Sequence, residues 1–454
     1  MKKLNIQIIL IAVLAIFAIF PTATMAQGWS YVGASGITDL NPTGSQSKMF
    51  YDANGNLHVG YIRGTSASTI TILKYDSVAN SWSTIAKHTL NRVAIETDYT
   101  IATNGDIYFA YQATYVSQRM YRVKKFSGGS WSHMGDSIVS FSATKVDLEI
   151  ANSVPYLMAN RNVYKWNTTG SAWQSIHSAS SGSQFVNGVL ALDNSQNLNI
   201  LNCYNILTTT KYYLKLEKYD GTNWTNVGDT LHVANALYIH LMFNSSNQPV
   251  AAFSTSAGLT PNHRFIKWNG TAWINVGSLA STPNVLVFSA TLTVQGNPLF
   301  SSTNYGGKVY AYNGTSYTAL DSAKVAGSIL QIYDIEVGPK NGTIYILISE
   351  LNNGMTGAVL SVMKYSSSSS GSLNKLNYSN IKIYPNPSNG YVTIDNINKG
   401  SIVKISDMAG KPIYKSVVND SQISLNTTEF IKGIYIIEVK SNNSIVNKKL
   451  IVNN

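Results

Sequence analysis

Five tryptophans recur in one local frame, and that recurrence constrains the fold more than any other feature of the chain. Trp82, Trp131, Trp173, Trp224 and Trp273 each sit in the order aromatic, Asn/Asp/Ser, Gly/Thr, any residue, Trp, with an apolar residue three places on. The clearest copies run Lys218–Gly228 and Lys267–Gly277, and Tyr312–Tyr317 is a degenerate copy with Tyr317 in the Trp place. Successive spacings of 49, 42, 51, 49 and 44 residues are those of a repeat rather than of chance. Between one Trp and the next lies a hairpin pattern with a polar turn, as in Phe50–Val59, Ile101–Tyr108 and Leu190–Leu198. Four strands per unit of about 40–50 residues is the signature of propeller blades. No stretch of the repeat reads as helix.

The ends of the repeat set the count. The last unit runs to Tyr365 and meets Ser366–Ser370 where its Trp strand belongs. A stray Trp strand, Gly28–Gly33, stands at the other end with no strands before it. If it completes the last unit, the chain closes a seven-bladed β-propeller and leaves no sheet edge exposed. The fold class expected is therefore all-β, and a roughly 345-residue ring of this kind buries about three quarters of its unfolded surface without staples. Cys203 is the single cysteine, so no intramolecular disulfide forms, and its apolar strand context marks it as a small buried hydrophobe.

A different pattern follows the Ser-rich stretch. From Ile381 to Asn454, short period-two runs are bounded by Asn389-Gly390, Lys399-Gly400, Ala409-Gly410 and Lys432-Gly433. Such runs predict a small antiparallel β-sandwich. Pro385 and Pro387 donate no amide hydrogen, so the strand they follow belongs at an edge.

Tyr384-Pro385-Asn386-Pro387 with Gly390, the strand opening at Gly433 with Tyr435, and the terminal Lys448-Lys449 resemble, in that order, the type A C-terminal sorting domain of type IX secretion. The resemblance covers about the last sixth of the chain. It implies an immunoglobulin-like fold, recognition by the outer-membrane secretion machinery, and release or surface attachment after export. The beginning agrees. Met1-Lys2-Lys3, an apolar run Ile6–Phe20 and small residues up to Ala26 make a signal peptide with cleavage after Ala26, too short for a membrane span. The expected domains are thus a leader (1–26), the propeller cargo (27–365), a linker (366–380) and the sorting domain (381–454). The location expected is the outer cell surface or the medium, after transit of the periplasm.

Charge narrows the function. Of the net +11, +2 falls on the leader, +4 on 27–372 and +5 on the tail. The cargo is nearly balanced and its six arginines are scattered, which excludes a phosphate-binding stripe and hence nucleic acid. Its Asp-Gly-Thr-x-Trp turns resemble the Asp boxes of sialidase-like propellers, which the resemblance assigns to fold stabilisation. The seven histidines share no repeat position and no paired spacing, so neither a metal nor another cofactor is expected.

Two candidate sites remain. The loops opposite the Trp turns carry Tyr115, Arg119, Arg161, Tyr204, His263, Arg264 and Tyr305, side chains that stack on and hydrogen-bond to sugars or protein surfaces. Along the inner strands, Asp98, Asp147 and Asp334 fall in one column of three blades, with Glu149 and Glu336 two residues on and so on the same side. Lys48 occupies that column in another blade. Converging carboxylates would raise one another's pKa and could serve acid–base chemistry. The sequence thus points to an exported, monomeric binding or adhesion module for a glycan or an extracellular protein. A glycan-cleaving hydrolase or lyase using Asp98, Asp147 and Asp334 is the alternative.

Overall fold

The computed structural model describes residues 28–453 except 44–45, 116–117, 141–144, 160, 179–183, 206–211, 234–235, 256–261, 278–287, 303–307, 321–328, 352–356, 367–380, 396, 398, 409 and 442–443. The leader with Ala26, the linker after Ser366, Tyr305 and the Tyr115 side chain lie outside the described residues.

Every element among the described residues is a β-strand. The first sheet runs Lys48–Tyr51, Leu57–Arg63, Thr69–Asp76, Ser81–Thr89, each strand antiparallel to the one before. Six more antiparallel sheets follow the same plan, with innermost strands Ala94–Ile101, Val146–Ala151, Gln184–Leu192, Leu237–Phe243, Phe288–Leu292 and Ile329–Val337. The seventh gets its outermost strand from the chain's beginning. Gly28–Tyr31 pairs antiparallel with Ala358–Ser366, Trp29 opposite Tyr365 and Tyr31 opposite Met363. Each innermost strand touches the next in chain order, and Ile329–Val337 returns to Lys48–Tyr51. The result is a closed, propeller-like cycle of sheets.

Burial follows from that arrangement. Leu57–Ile62 is buried at every residue, because a second strand lies between neighbouring sheets on both faces. The outermost Ser81–Thr89 instead shows mostly exposed positions. Separate apolar clusters fill the junctions. Ile62, Ile70 and Ile72 meet Phe109 and Tyr111 between the first and second sheets. Val59 and Leu73 meet Leu347 and Val362 between the first and seventh, where Val32 joins them. Cys203 is fully buried between the fourth and fifth sheets, and that burial pushes its thiol up to about 12.

Several of the first-to-second-strand hairpins share one turn. In the first sheet the Asp52 carboxylate accepts the amides of Asn54 (2.9 Å) and Asn56 (2.8 Å), and Gly55 takes a φ of 72° that suits glycine. Asp193 and Asn244 do the same in the fourth and fifth sheets.

The tail forms two sheets around one core. Lys382–Tyr384, Tyr391–Asp395 and Gln422–Asn426 make one, and Pro412–Val417, Ile402–Asp407, Gly433–Ser441 and Ser444–Val452 the other. Val392, Ile394 and Leu425 pack from one side against Val403, Ile405, Ile437 and Leu450. Lys382–Tyr384 lies at an edge, as its prolines require. The loop after it is fastened to the last strand. Asn386 Nδ2 donates to Lys449 O (2.8 Å), Asn386 Oδ1 accepts Ile451 N (2.8 Å), and Ser388 N donates to Ile451 O (2.8 Å). The first and last parts of the tail's motif are thus one structural unit. Tyr435 Oη ties its strand to Ile431 O (2.6 Å), Gly433 opens that strand and Gly390 turns with φ 115°. Lys449 is exposed and Lys448 half-buried.

Candidate functional site

The inner strands bring the carboxylate column together. An innermost strand has a partner on one side only, so amides on its other edge need acceptors. Asp98 Oδ2 accepts Leu148 N (2.8 Å) from the third sheet. Asp147 Oδ2 accepts Leu190 N (2.7 Å) from the fourth, and Asp334 Oδ2 accepts Met49 N (2.7 Å) from the first. Each aspartate therefore staples its own sheet to the next. Asp98 Oδ1 also holds Lys48 Nζ at 2.7 Å, and Asp334 Oδ1 takes Ser289 Oγ at 3.2 Å.

The electrostatics are crowded. Burial works against the Lys48 ammonium, but the charges of Asp98, Asp147 and Glu149 outweigh it and hold its pKa above the usual lysine range. Burial and the neighbouring Asp98 push Asp147 up to about 7. Burial and Asp147 push Glu149 up to about 8; burial and Asp334 do the same for Glu336. Asp334 is raised by burial too. Lys48, with Lys145 also acting on Asp147, does not offset this crowding, so Asp147, Glu149, Asp334 and Glu336 all hold their protons above the usual carboxylate range. Lys48 keeps 38% of its side-chain surface open, and Glu149 and Glu336 are half-buried, so these side chains remain partly accessible to solvent. Such groups can exchange protons with water. Among the described residues no three His, Cys, Asp or Glu side chains gather as metal ligands.

Of the described loop residues, two are buried rather than on a surface. Tyr204 is 2% exposed, stacked on Tyr213 at 5.0 Å. His263 is 3% exposed against Phe300, and burial lowers its pKa to about 4. Both are taken up in packing, because their strands lie inside the sheets rather than in loops. Arg264 lies over the Phe253 ring and donates Nη2 to Asn275 Oδ1 (2.8 Å). Arg119 pairs with Thr114, and Arg161 is exposed at a turn.

Sequence reasoning missed a cleft of about 220 Å³ between the first and seventh sheets, lined by Tyr51, Tyr75, Tyr345 and Lys340. Its signal was available. The turn Gly338–Thr343 is one residue longer than those of the first, second, fourth, fifth and sixth sheets, closing from Gly338 N to Thr343 O where the first closes from Asp52 N to Asn56 O.

Several solved structures are similar to this chain. They include PorZ, a surface component of the type-IX secretion system of Porphyromonas gingivalis, at 13% identity and TM-score 0.38, covering 90% of this chain and 70% of that one. An α-L-arabinofuranosidase of Fusarium graminearum aligns at 10% identity and TM-score 0.45, covering 73% of this chain and 98% of that one. A polysaccharide lyase aligns at 10% identity and TM-score 0.45, covering 74% and 92%. A comparison with curated proteins finds no match. Among the described residues no helix is long and apolar enough to cross a membrane. Residues 382–453 match the family model of the secretion system C-terminal sorting domain. The tail is therefore the sorting domain of type IX secretion, and the chain is exported to the cell surface or the medium.

Proposed function

We propose that this exported chain is a binding or adhesion protein whose ligand is a glycan or an extracellular protein. In this reading a leader (1–26) is removed, a seven-bladed propeller (27–365) is closed by its N-terminal strand, and a linker (366–380) joins it to an immunoglobulin-like tail (381–454). The monomeric chain meets the secretion machinery through Tyr384–Gly390, Gly433, Tyr435, Lys448 and Lys449 of the tail, and its ligand through surface Tyr, Arg and Asn of the propeller. The observation that carries the reading is the use of the axial aspartates. Asp98, Asp147 and Asp334 are each spent on a backbone amide of the neighbouring sheet. Catalysis by a carboxylate pair asks instead for two such groups free to face substrate.

A second reading has one observation in its favour: Glu149 and Glu336, pushed up to about 8, suit a general acid. One experiment separates the two. The secreted protein is passed over immobilised polysaccharides and mucin, and retention and released sugar are scored on the same samples. Retention without release supports the binding module. Sugar release that disappears in Glu149→Gln or Glu336→Gln overturns it in favour of a glycan-cleaving enzyme.

A further inference from the structure

The ring's repeated hairpin turns touch one another where neighbouring sheets meet. Asn194 of the fourth sheet donates its backbone amide to Asn247 Oδ1 (2.7 Å) and its Nδ2 to Asn244 O (2.8 Å) of the fifth. The sixth sheet's turn packs so tightly on the fifth that a Cβ at Gly296 would lie 2.8 Å from Asn244 Cβ. Between the seventh and first sheets the contact has another form. The longer turn Gly338–Thr343 carries Pro339 and Lys340, and the Lys340 stem lies along Gly55, whose added Cβ would fall 3.0 Å from Lys340 Cε. Beside that stem the cleft opens.

Its lining is specific in chemistry. Tyr51, Tyr75 and Tyr345 supply aromatic faces, with Tyr51 and Tyr345 edge to face at 6.4 Å. Asn54 and Asn341 stand at the same cleft. The Tyr51 hydroxyl is buried and has no hydrogen-bond partner among the described residues. The Lys340 side chain is exposed, and no carboxylate pairs with it among the described residues. The acidic residue of the first sheet's turn, Asp52, is already engaged by Asn56 (2.7 Å) and by Lys74 (3.8 Å). Aromatic faces beside amides suit the two sides of a pyranose, and an unpaired ammonium at the rim selects for an anion. A volume of about 220 Å³ falls below the roughly 300–1,000 Å³ of drug-sized sites, so it fits one ring rather than a chain.

We propose that this cleft binds a single acidic sugar, such as a hexuronate at the end of a glycan, with Lys340 on its carboxylate and tyrosine rings against its face. This rests on the binding-module reading and names its ligand class. The test titrates the full-length secreted protein with D-glucuronate and, in parallel, with D-glucose, by calorimetry. Glucuronate is expected to bind, with glucose at least tenfold weaker. Lys340→Ala should bring glucuronate down to the glucose level, and Tyr345→Ala should abolish both while Lys340→Ala melts as wild type. Equal affinity for the two sugars, no glucuronate binding, or indifference to Lys340→Ala overturns the proposal. If glucuronate fails while polysaccharide is still retained, the cleft assignment falls and the binding module stands. If glucuronate binds at the cleft and no polysaccharide or mucin is retained, the adhesion reading falls and the cleft stands.

Discussion

The axis and the rim of the ring solve one problem with opposite chemistry. At the axis the spare groups are amides, and the side chains that meet them are carboxyl acceptors: Asp98, Asp147 and Asp334. At the rim the spare groups are carbonyls, and the side chains are neutral donors. Val32, Met134 and Val276 each give their amide inward to their own sheet, which turns their carbonyls toward the next. Trp82 Nε1 donates to Val32 O (2.7 Å), Trp173 Nε1 to Met134 O (2.9 Å), and Tyr317 Oη to Val276 O (2.9 Å). Trp224 Nε1 does the same for Ile176 O (3.0 Å). Among the described residues the rim seam carries no charge and is made at these four junctions, while Trp131 Nε1 in the same frame has no hydrogen-bond partner; the axial seam gathers charge and is used at three. Stability carried by the axis should therefore respond to pH, and stability carried by the rim should not.

The sharpest way to break the comparison is to remove the strand on which closure depends. Deleting 28–33 takes away a whole rim strand, the Val32 acceptor of Trp82, and the Tyr31 hydroxyl that donates to Glu350 Oε2 at 2.6 Å. Losing burial of Trp29, Tyr31 and Val32 alone costs about 5 kcal/mol, comparable with the whole net stability of many domains. The expected outcome is a fall in melting temperature of more than about ten degrees, or no soluble product. Unchanged melting would mean that closure contributes nothing.

The axial seam is tested with pH. Glu149 has an ordinary pKa of 4.5 and sits at about 8 in the folded chain. Between those values the unfolded chain releases a proton that the folded chain keeps, so stability falls as pH rises through that window and levels off above it. Groups facing this carboxyl include Lys48, Asp98 and Asp147. The double variant Glu149→Gln, Glu336→Gln should match wild type near pH 4, exceed it at pH 8, and have a clearly shallower slope, with Asp147 and Asp334 supplying what remains. Denaturant midpoints at pH 4.5, 6.5 and 8.5 read this directly; a slope as steep in the double variant as in wild type places its source elsewhere. Asp147→Ala leaves the buried Leu190 amide without its acceptor and should cost about 1–3 kcal/mol. Asp147→Asn, which keeps an oxygen there, should cost less.

What could be read before the structure follows the same division. The rim was legible because its donors are tryptophans in a fixed frame, and even the degenerate Tyr317 donates from the Trp place. The column of Asp98, Asp147 and Asp334 was legible from alignment on the following turn. Its role was not, since sequence spacing cannot say whether a carboxylate meets substrate or a neighbouring amide. Tyr204 and His263 looked like loop residues because turn-like composition surrounds them; their own strands extend further and bury them. The cleft at Lys340 escaped notice because it arises between the first and last repeats, which are far apart in sequence and joined only by closure.

The smallest expected effect is also the cleanest probe of the rim. Tyr317→Phe deletes one hydroxyl and keeps the ring that stacks on Phe265 at 5.4 Å and tilts against Tyr312 at 5.1 Å. Only the bond to Val276 O is lost, and a net hydrogen bond of this kind is worth about 0.5–1.5 kcal/mol. Because no charge is involved at neutral pH, the loss should be the same at pH 5 and pH 8. Urea midpoints for wild type and variant at both values decide it. A loss that grows with pH, or one larger than that of Asp147→Ala, would show that the rim shares the axial electrostatics and that the two seams are not independent. A constant, small loss means each rim donor acts alone, and the ring can then tolerate a degenerate repeat so long as some side chain in the Trp place still reaches the preceding sheet's carbonyl.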